Sequence, residues 1–202
     1  MGLLPVVLAP LAVAASCGEG AGIGVSLWPM PLRASQGNES TRVASVSVVL
    51  NASAAGAAVL EAAARRYGAR VPASGGGGGV AYVVYVATSG APAARVPQLS
   101  DFLGDGEAYS LAADRAAARI SARTAWGALR GLETFFQSVV PDGGGGFCVA
   151  GTPLVVEDAP RFPWRGLLLD TARRFYPVEA IERQLRAMEA SKLNTFHWHL
   201  SD

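Results

Sequence analysis

The sequence predicts an α+β domain, built on an antiparallel-type sheet with helices, followed by the first β-α-β unit of a parallel (β/α)8 TIM barrel. Three observations carry that expectation. Runs of β-branched and aromatic residues alternate with Ala-rich stretches through the first half of the chain. At Thr124 the apolar spacing changes to three and four residues, the period of a helix. Beyond Pro163 an apolar run, an amphipathic stretch and a second apolar run follow one another, with polar or charged residues after each strand.

Composition sets the outer limits. The 202 residues are 50% hydrophobic and 16% charged, with 17 basic and 16 acidic side chains giving a net charge of +1. Disorder requires low hydrophobicity with high net charge, and phosphate-backbone binding draws on a basic excess; neither fits, so no nucleic-acid partner is expected. Lys192 is the single Lys among many Arg, which reads as coding bias.

Residues 3 to 15, LLPVVLAPLAVAA, are too short for the roughly 20 residues of a spanning helix and carry two prolines. No membrane-spanning segment is expected. The run instead reads as a signal peptide or leader over residues 1–17, with Ala12-Val13-Ala14 as a small-x-small cleavage pattern and Cys17 as an alternative lipidation point. Asn38-Glu39-Ser40 and Asn51-Ala52-Ser53 match the glycosylation acceptor pattern, which has meaning in a secretory lumen. Cys17 and Cys148 are too few for a disulfide framework.

The α+β domain is expected over residues 25–158. Arg42 to Leu50 alternates as a strand, and Ala54 to Tyr67 is a helix ending at Gly68 as its C-cap. Val80 to Ala87, Tyr109 to Leu111 and Ala117 to Arg123 are further strands. Trp126, Leu129, Leu132 and Phe136 then place one apolar stripe on a helix capped by Thr124, with Trp126, Phe135 and Phe136 as core. Gly75–Gly79 and Gly143–Gly146 read as loops with too much backbone entropy for ordered packing, and Glu157-Asp158 as part of a linker. Gly18, Gly20, Gly22 and Gly24 lack the strand and spacing of a dinucleotide fingerprint.

The second unit is expected over residues 163–202. Gly166-Leu-Leu-Leu-Asp170 is the continuous apolar run of a buried parallel strand. Pro177 suits the first turn of a helix whose stripe is Val178, Ile181, Leu185 and Met188, ending near Ala190, and Asn194 to Leu200 reads as a second strand. Ligands of parallel α/β folds gather at the carboxyl ends of strands, where Arg173 and Asp202 fall. A complete barrel needs about 250 residues and only about 40 follow Pro163, so the chain reads as a truncated fragment.

The block Arg165-Gly-Leu-Leu-Leu-Asp170-Thr171-Ala-Arg173, followed by Lys192-Leu-Asn-Thr-Phe-His-Trp-His199-Leu-Ser-Asp202, resembles the start of the catalytic barrel of family 20 glycoside hydrolases, the β-N-acetylhexosaminidases. Leu27-Trp28-Pro29-Met30-Pro31, Glu107-Ala-Tyr109-Ser-Leu111 and the run from Thr124 to Phe135 resemble that family's non-catalytic domain. The resemblance implies removal of terminal N-acetylhexosamine from glycoconjugates or chitooligosaccharides by substrate-assisted retaining catalysis, without a cofactor. It implies that Arg173 and Asp202 bind the terminal sugar, that the catalytic Asp-Glu pair lies downstream, and that the isolated chain is inactive. Arg174 and Phe175 depart from the family's usual His and Tyr. A secretory, lysosomal, vacuolar or extracellular setting and a homo-oligomer of the full-length enzyme accord with it.

Two rival readings stand beside this one. A non-catalytic carbohydrate-binding or assembly module would use the first domain alone. A metal-dependent barrel hydrolase would use His197 and His199, which share one strand face, although no other ligand set is visible and buried, hydrogen-bonded imidazoles fit the block better. Asp170 reads as a structural carboxylate at a strand end, and Arg165 as an anchor of the barrel's rim or of the domain interface.

Overall fold

The computed structural model describes residues 24–51, 58–71, 78–90 and 99–201. The expected leader, Cys17, Gly18, Gly20, Gly22, the first residues of the helix expected from Ala54, Gly75 to Gly77 and Asp202 lie outside them. The α+β part runs β1 (Arg33–Leu50), α1 (Ala58–Gly68), β2 (Val80–Thr88), a 3-10 turn (Leu99–Phe102), β3 (Tyr109–Ala113), β4 (Ala117–Ala122), α2 (Ala125–Gln137), β5 (Val139–Pro141) and β6 (Phe147–Asp158). The second unit is β7 (Gly166–Asp170), α3 (Val178–Ala190) and β8 (Thr195–His199).

The six strands follow the order β1-β2-β4-β3-β6-β5, with a further β1–β6 pairing. The sheet is mixed where an antiparallel type was expected: β1–β2 is parallel, because the crossover through α1 brings the chain back in its original direction, and β2–β4 is parallel as well. At 18 residues β1 does the work of two strands. Irregularities between Gln36 and Ser40 and between Val43 and Ser45 let its first half pair with β6 and its second with β2. The first half is largely exposed and polar, so it shows no alternation and the strand was expected only from Arg42.

The core lies between this sheet and α1 and α2. Thr124 caps α2, its hydroxyl accepting from the backbone N–H of Trp126 at 3.1 Å and of Gly127 at 3.2 Å. Ala128, Leu132 and Phe135 are fully buried, Phe135 stacks on Tyr82 of β2 at 5.7 Å, and Phe136 stacks on Tyr67 of α1 at 5.0 Å. Trp126 sits at the margin of this core, half-buried against Phe102.

Three local expectations change. Glu157 and Asp158 end β6 and are not linker; Gly151, with φ +76°, and Pro153 break the strand's pattern where it faces the irregular part of β1. The loop at Gly143–Gly146 is ordered: Asp142 accepts the backbone N–H of Gly144 and of Gly146 at 2.8 Å each and pairs with Arg42, while Gly143 and Gly145 supply positive φ. Pro177 is the N-cap of α3, with ψ 149°, and does not enter the first turn. Cys148 is disulfide-bonded and fully buried.

The β-α-β unit docks through polar side chains in the segments before its two strands. Arg165 donates to the buried carboxylate of Glu107 at 2.7 Å, as Arg130 of α2 does at 2.8 Å. Lys192 holds φ 56° just past α3 and sends its ammonium to Thr134 at 2.6 Å, Tyr109 at 2.9 Å and Asp158 at 3.3 Å. Burial pulls the Lys192 ammonium below its usual pKa, against the opposing pull of Asp158. Of the two anchoring roles expected of Arg165, the contact with Glu107 is the one at the domain interface.

The tight seat of α2 is testable. A Cβ at Gly127 would lie 2.3 Å from the backbone oxygen of Ala108, an obstacle that no side-chain rotation relieves. Gly127→Ala should therefore destabilise the domain by about 1–3 kcal/mol, outweighing alanine's helix preference, as read by urea denaturation.

Candidate active site

The carboxyl ends of β7 and β8 lie side by side in an unbroken parallel ladder from Gly166↔Thr195 to Asp170↔His199. Asp170 closes β7 and turns the chain: one carboxylate oxygen accepts the backbone N–H of Ala172 at 3.0 Å and of Arg173 at 3.2 Å. Its other oxygen accepts from the Arg173 guanidinium, and His199 Nδ1 stands 3.3 Å from the first. Thr171 donates its backbone N–H to the His199 carbonyl at 3.0 Å, and its hydroxyl accepts from the Trp198 indole at 2.9 Å. Both strand ends are thereby tied into one platform.

Arg173 keeps most of its side chain open to solvent while Asp170 fixes one N–H of its guanidinium. A guanidinium so held has further donors in fixed directions, suited to adjacent hydroxyls on a ring. The hydrogen bond from Arg173, reinforced by His199 and the Arg173 backbone, holds the Asp170 carboxyl well below the usual carboxylate range. Asp170 therefore stays ionised, which suits an orienting acceptor and not a proton donor.

The structure brings Arg173, Asp170 and His199 together, whereas Asp202 lies outside the described residues. His199 is half-buried on Asp170, but His197 is exposed, contrary to the expected buried pair. Their common face also carries the exposed Leu168, and no described element covers it. Among the described residues no three His, Cys, Asp or Glu side chains are placed to hold a metal ion. Sequence reasoning did not anticipate the Asp170–His199 contact, for which the ladder register was the missing information. Asn38 lies exposed on β1, and Asn51 is exposed just beyond it, its side chain accepting the Thr88 backbone N–H at 3.4 Å.

The linkage at Asp170 has a definite sign. A carboxyl with a depressed folded-state pKa contributes stability above its unfolded value and loses it as pH falls through the folded value. The Arg173 tether should therefore survive acidification through the ordinary carboxylate range near 3.8. An NMR titration of the Asp170 side-chain carbon should show a midpoint below that range in the native chain and a rise toward it in Arg173→Ala. An ordinary midpoint in the native chain would contradict the geometry.

Residues 162–202 match the model of the glycosyl hydrolase family 20 catalytic domain, and residues 81–138 that of a β-acetyl hexosaminidase-like domain. The chain is 33% identical over 193 residues to β-hexosaminidase 1 of Arabidopsis thaliana, covering 87% of this chain and 36% of the relative. It is 46% identical over 100 residues to the β-hexosaminidase subunit beta of Mus musculus, covering 50% of this chain and 18% of the relative. Among solved structures, Streptomyces plicatus N-acetyl-β-hexosaminidase aligns with TM-score 0.60 and 25% identity, over 90% of this chain and 36% of that one. The chain thus spans about a fifth to a third of the length of these relatives. Two successive family domains in the family's order, on a fold shared with its solved members, show that the chain belongs to glycosyl hydrolase family 20.

Proposed function

We propose that the protein acts as a β-N-acetylhexosaminidase, with this chain supplying the non-catalytic α+β domain and the opening strands of the catalytic barrel. The observation that carries the reading is Arg173, held by Asp170 at the carboxyl end of β7 beside the end of β8 and open to solvent. Arg173 grips hydroxyls of a terminal N-acetylhexosamine, and Asp202 completes that subsite from the following strand end. The substrate's acetamido oxygen attacks the anomeric carbon with retention, while a downstream Asp-Glu pair orients that group and moves the proton. The substrates are glycoconjugates or chitooligosaccharides ending in N-acetylhexosamine.

A secretory route, ending in a lysosome, a vacuole or outside the cell, accords with the disulfide at Cys148 and with the acceptor patterns at Asn38 and Asn51, both exposed. No helix among the described residues is long and apolar enough to cross a membrane. The subunit designations of the mammalian relatives support an oligomer for the full-length protein.

The test is hydrolysis of an aryl N-acetyl-β-glucosaminide. The full-length protein should turn it over and residues 1–202 alone should not. Arg173→Ala in the full-length protein should lower kcat/KM by about ten- to a hundred-fold, the loss of one or two hydrogen bonds from a charged donor. Absence of turnover by the full-length protein, or turnover by the short chain, would overturn the proposal.

A further inference from the structure

Among the described residues, the polar side chains that the β-α-β unit sends into the buried centre of its contact with the α+β domain stand just before a strand. Arg165 is one residue ahead of β7; Asn194 and Lys192 are one and three residues ahead of β8. Arg165 and Asn194 meet on Glu107, only 1% exposed, at 2.7 and 3.3 Å. The two are also bound to each other: Asn194 Oδ1 accepts the Arg165 backbone N–H at 3.0 Å, and Arg165 Nε donates to the Lys192 carbonyl at 3.0 Å. Lys192 itself is nearly buried among Tyr109, Thr134 and Asp158.

Apolar contact is non-directional and tolerates sliding, whereas hydrogen bonds to one buried carboxylate are satisfied in few arrangements. An isolated two-stranded sheet is marginal, so the positions of β7 and β8 must be set from outside. The unbroken ladder carries those positions from Gly166 and Thr195 to Asp170 and His199, and Asp170 hands them on to Arg173. We propose that Glu107 and Lys192 are positioning residues: by fixing where β7 and β8 begin, they fix where the guanidinium of Arg173 stands to receive the sugar. The α+β domain then shapes substrate binding from the opposite end of the strands without touching substrate. This rests on the reading of Arg173 as a sugar-binding residue.

Two measurements separate the proposal from its premise. Amide exchange on the 202-residue chain compares the native protein with Glu107→Gln, Lys192→Met and Arg66→Ala, the last removing the peripheral ion pair with Glu189. Protection over residues 166–170 and 195–199 should fall on the order of tenfold in the first two variants and hold in the third, with β2, which touches neither Glu107 nor Lys192, unchanged in all three. In the full-length protein, Glu107→Gln and Lys192→Met should raise KM for an aryl N-acetyl-β-glucosaminide by about tenfold and leave kcat within about threefold, a split that general destabilisation does not produce. If Glu107→Gln unfolds the whole chain, Lys192→Met decides. Undiminished protection of β7 and β8, an equal loss in Arg66→Ala, or an unmoved KM would each overturn the proposal. If Arg173→Ala leaves KM unmoved, the reading of Arg173 fails, and the exchange data still judge the latch by itself.

Discussion

A buried carboxylate organises this chain. Glu107 lies in the turn before β3, away from water, and takes one guanidinium from its own domain and another from the start of the barrel unit. Neither charge can be left alone: breaking one partner of a buried pair costs about 3–5 kcal/mol, because the other stays desolvated without compensation. Asp158 and Lys192 repeat the arrangement at the end of β6, with the hydroxyls of Tyr109 and Thr134 completing the ammonium's shell. Both contacts fall at the amino-terminal ends of the parallel strands. That leaves the carboxyl ends, where barrel enzymes place their chemistry, clear of both contacts.

What the sequence announced and what it concealed divide along physical lines. Thr124 and the apolar spacing after it locate α2 because capping and burial act locally and leave a periodic trace. Gly166 to Asp170 and Asn194 to Leu200 stand out for the same reason. β6 does not, since Gly151 and Pro153 interrupt its alternation at the point where β1 is itself irregular. The polar first half of β1 is held by backbone pairing with β6, which leaves no mark on side-chain pattern.

Single residues teach the same lesson. Lys192 looked like a by-product of composition, yet a buried ammonium with three oxygen partners needs a slender, flexible stem that the broad arginine head does not offer. The Gly143–Gly146 run looked like slack chain, yet Asp142 orders it with two backbone hydrogen bonds and an ion pair. At the site, Arg173 and Asp170 stand out through their place after a strand, whereas the nearness of His199 to Asp170 depends on strand register. Long-range pairing is the information a linear reading lacks.

The connector between the two parts is short: β6 ends at Asp158 and β7 begins at Gly166, leaving the seven residues 159–165 between them. Tethered partners on so brief a leash meet at an effective concentration of roughly millimolar, far above that of the same pieces diffusing apart. Contacts too weak to unite two separate chains can therefore close nearly completely within one. Cutting that leash, with every contact residue intact, would turn a settled intramolecular union into a dilution-sensitive association.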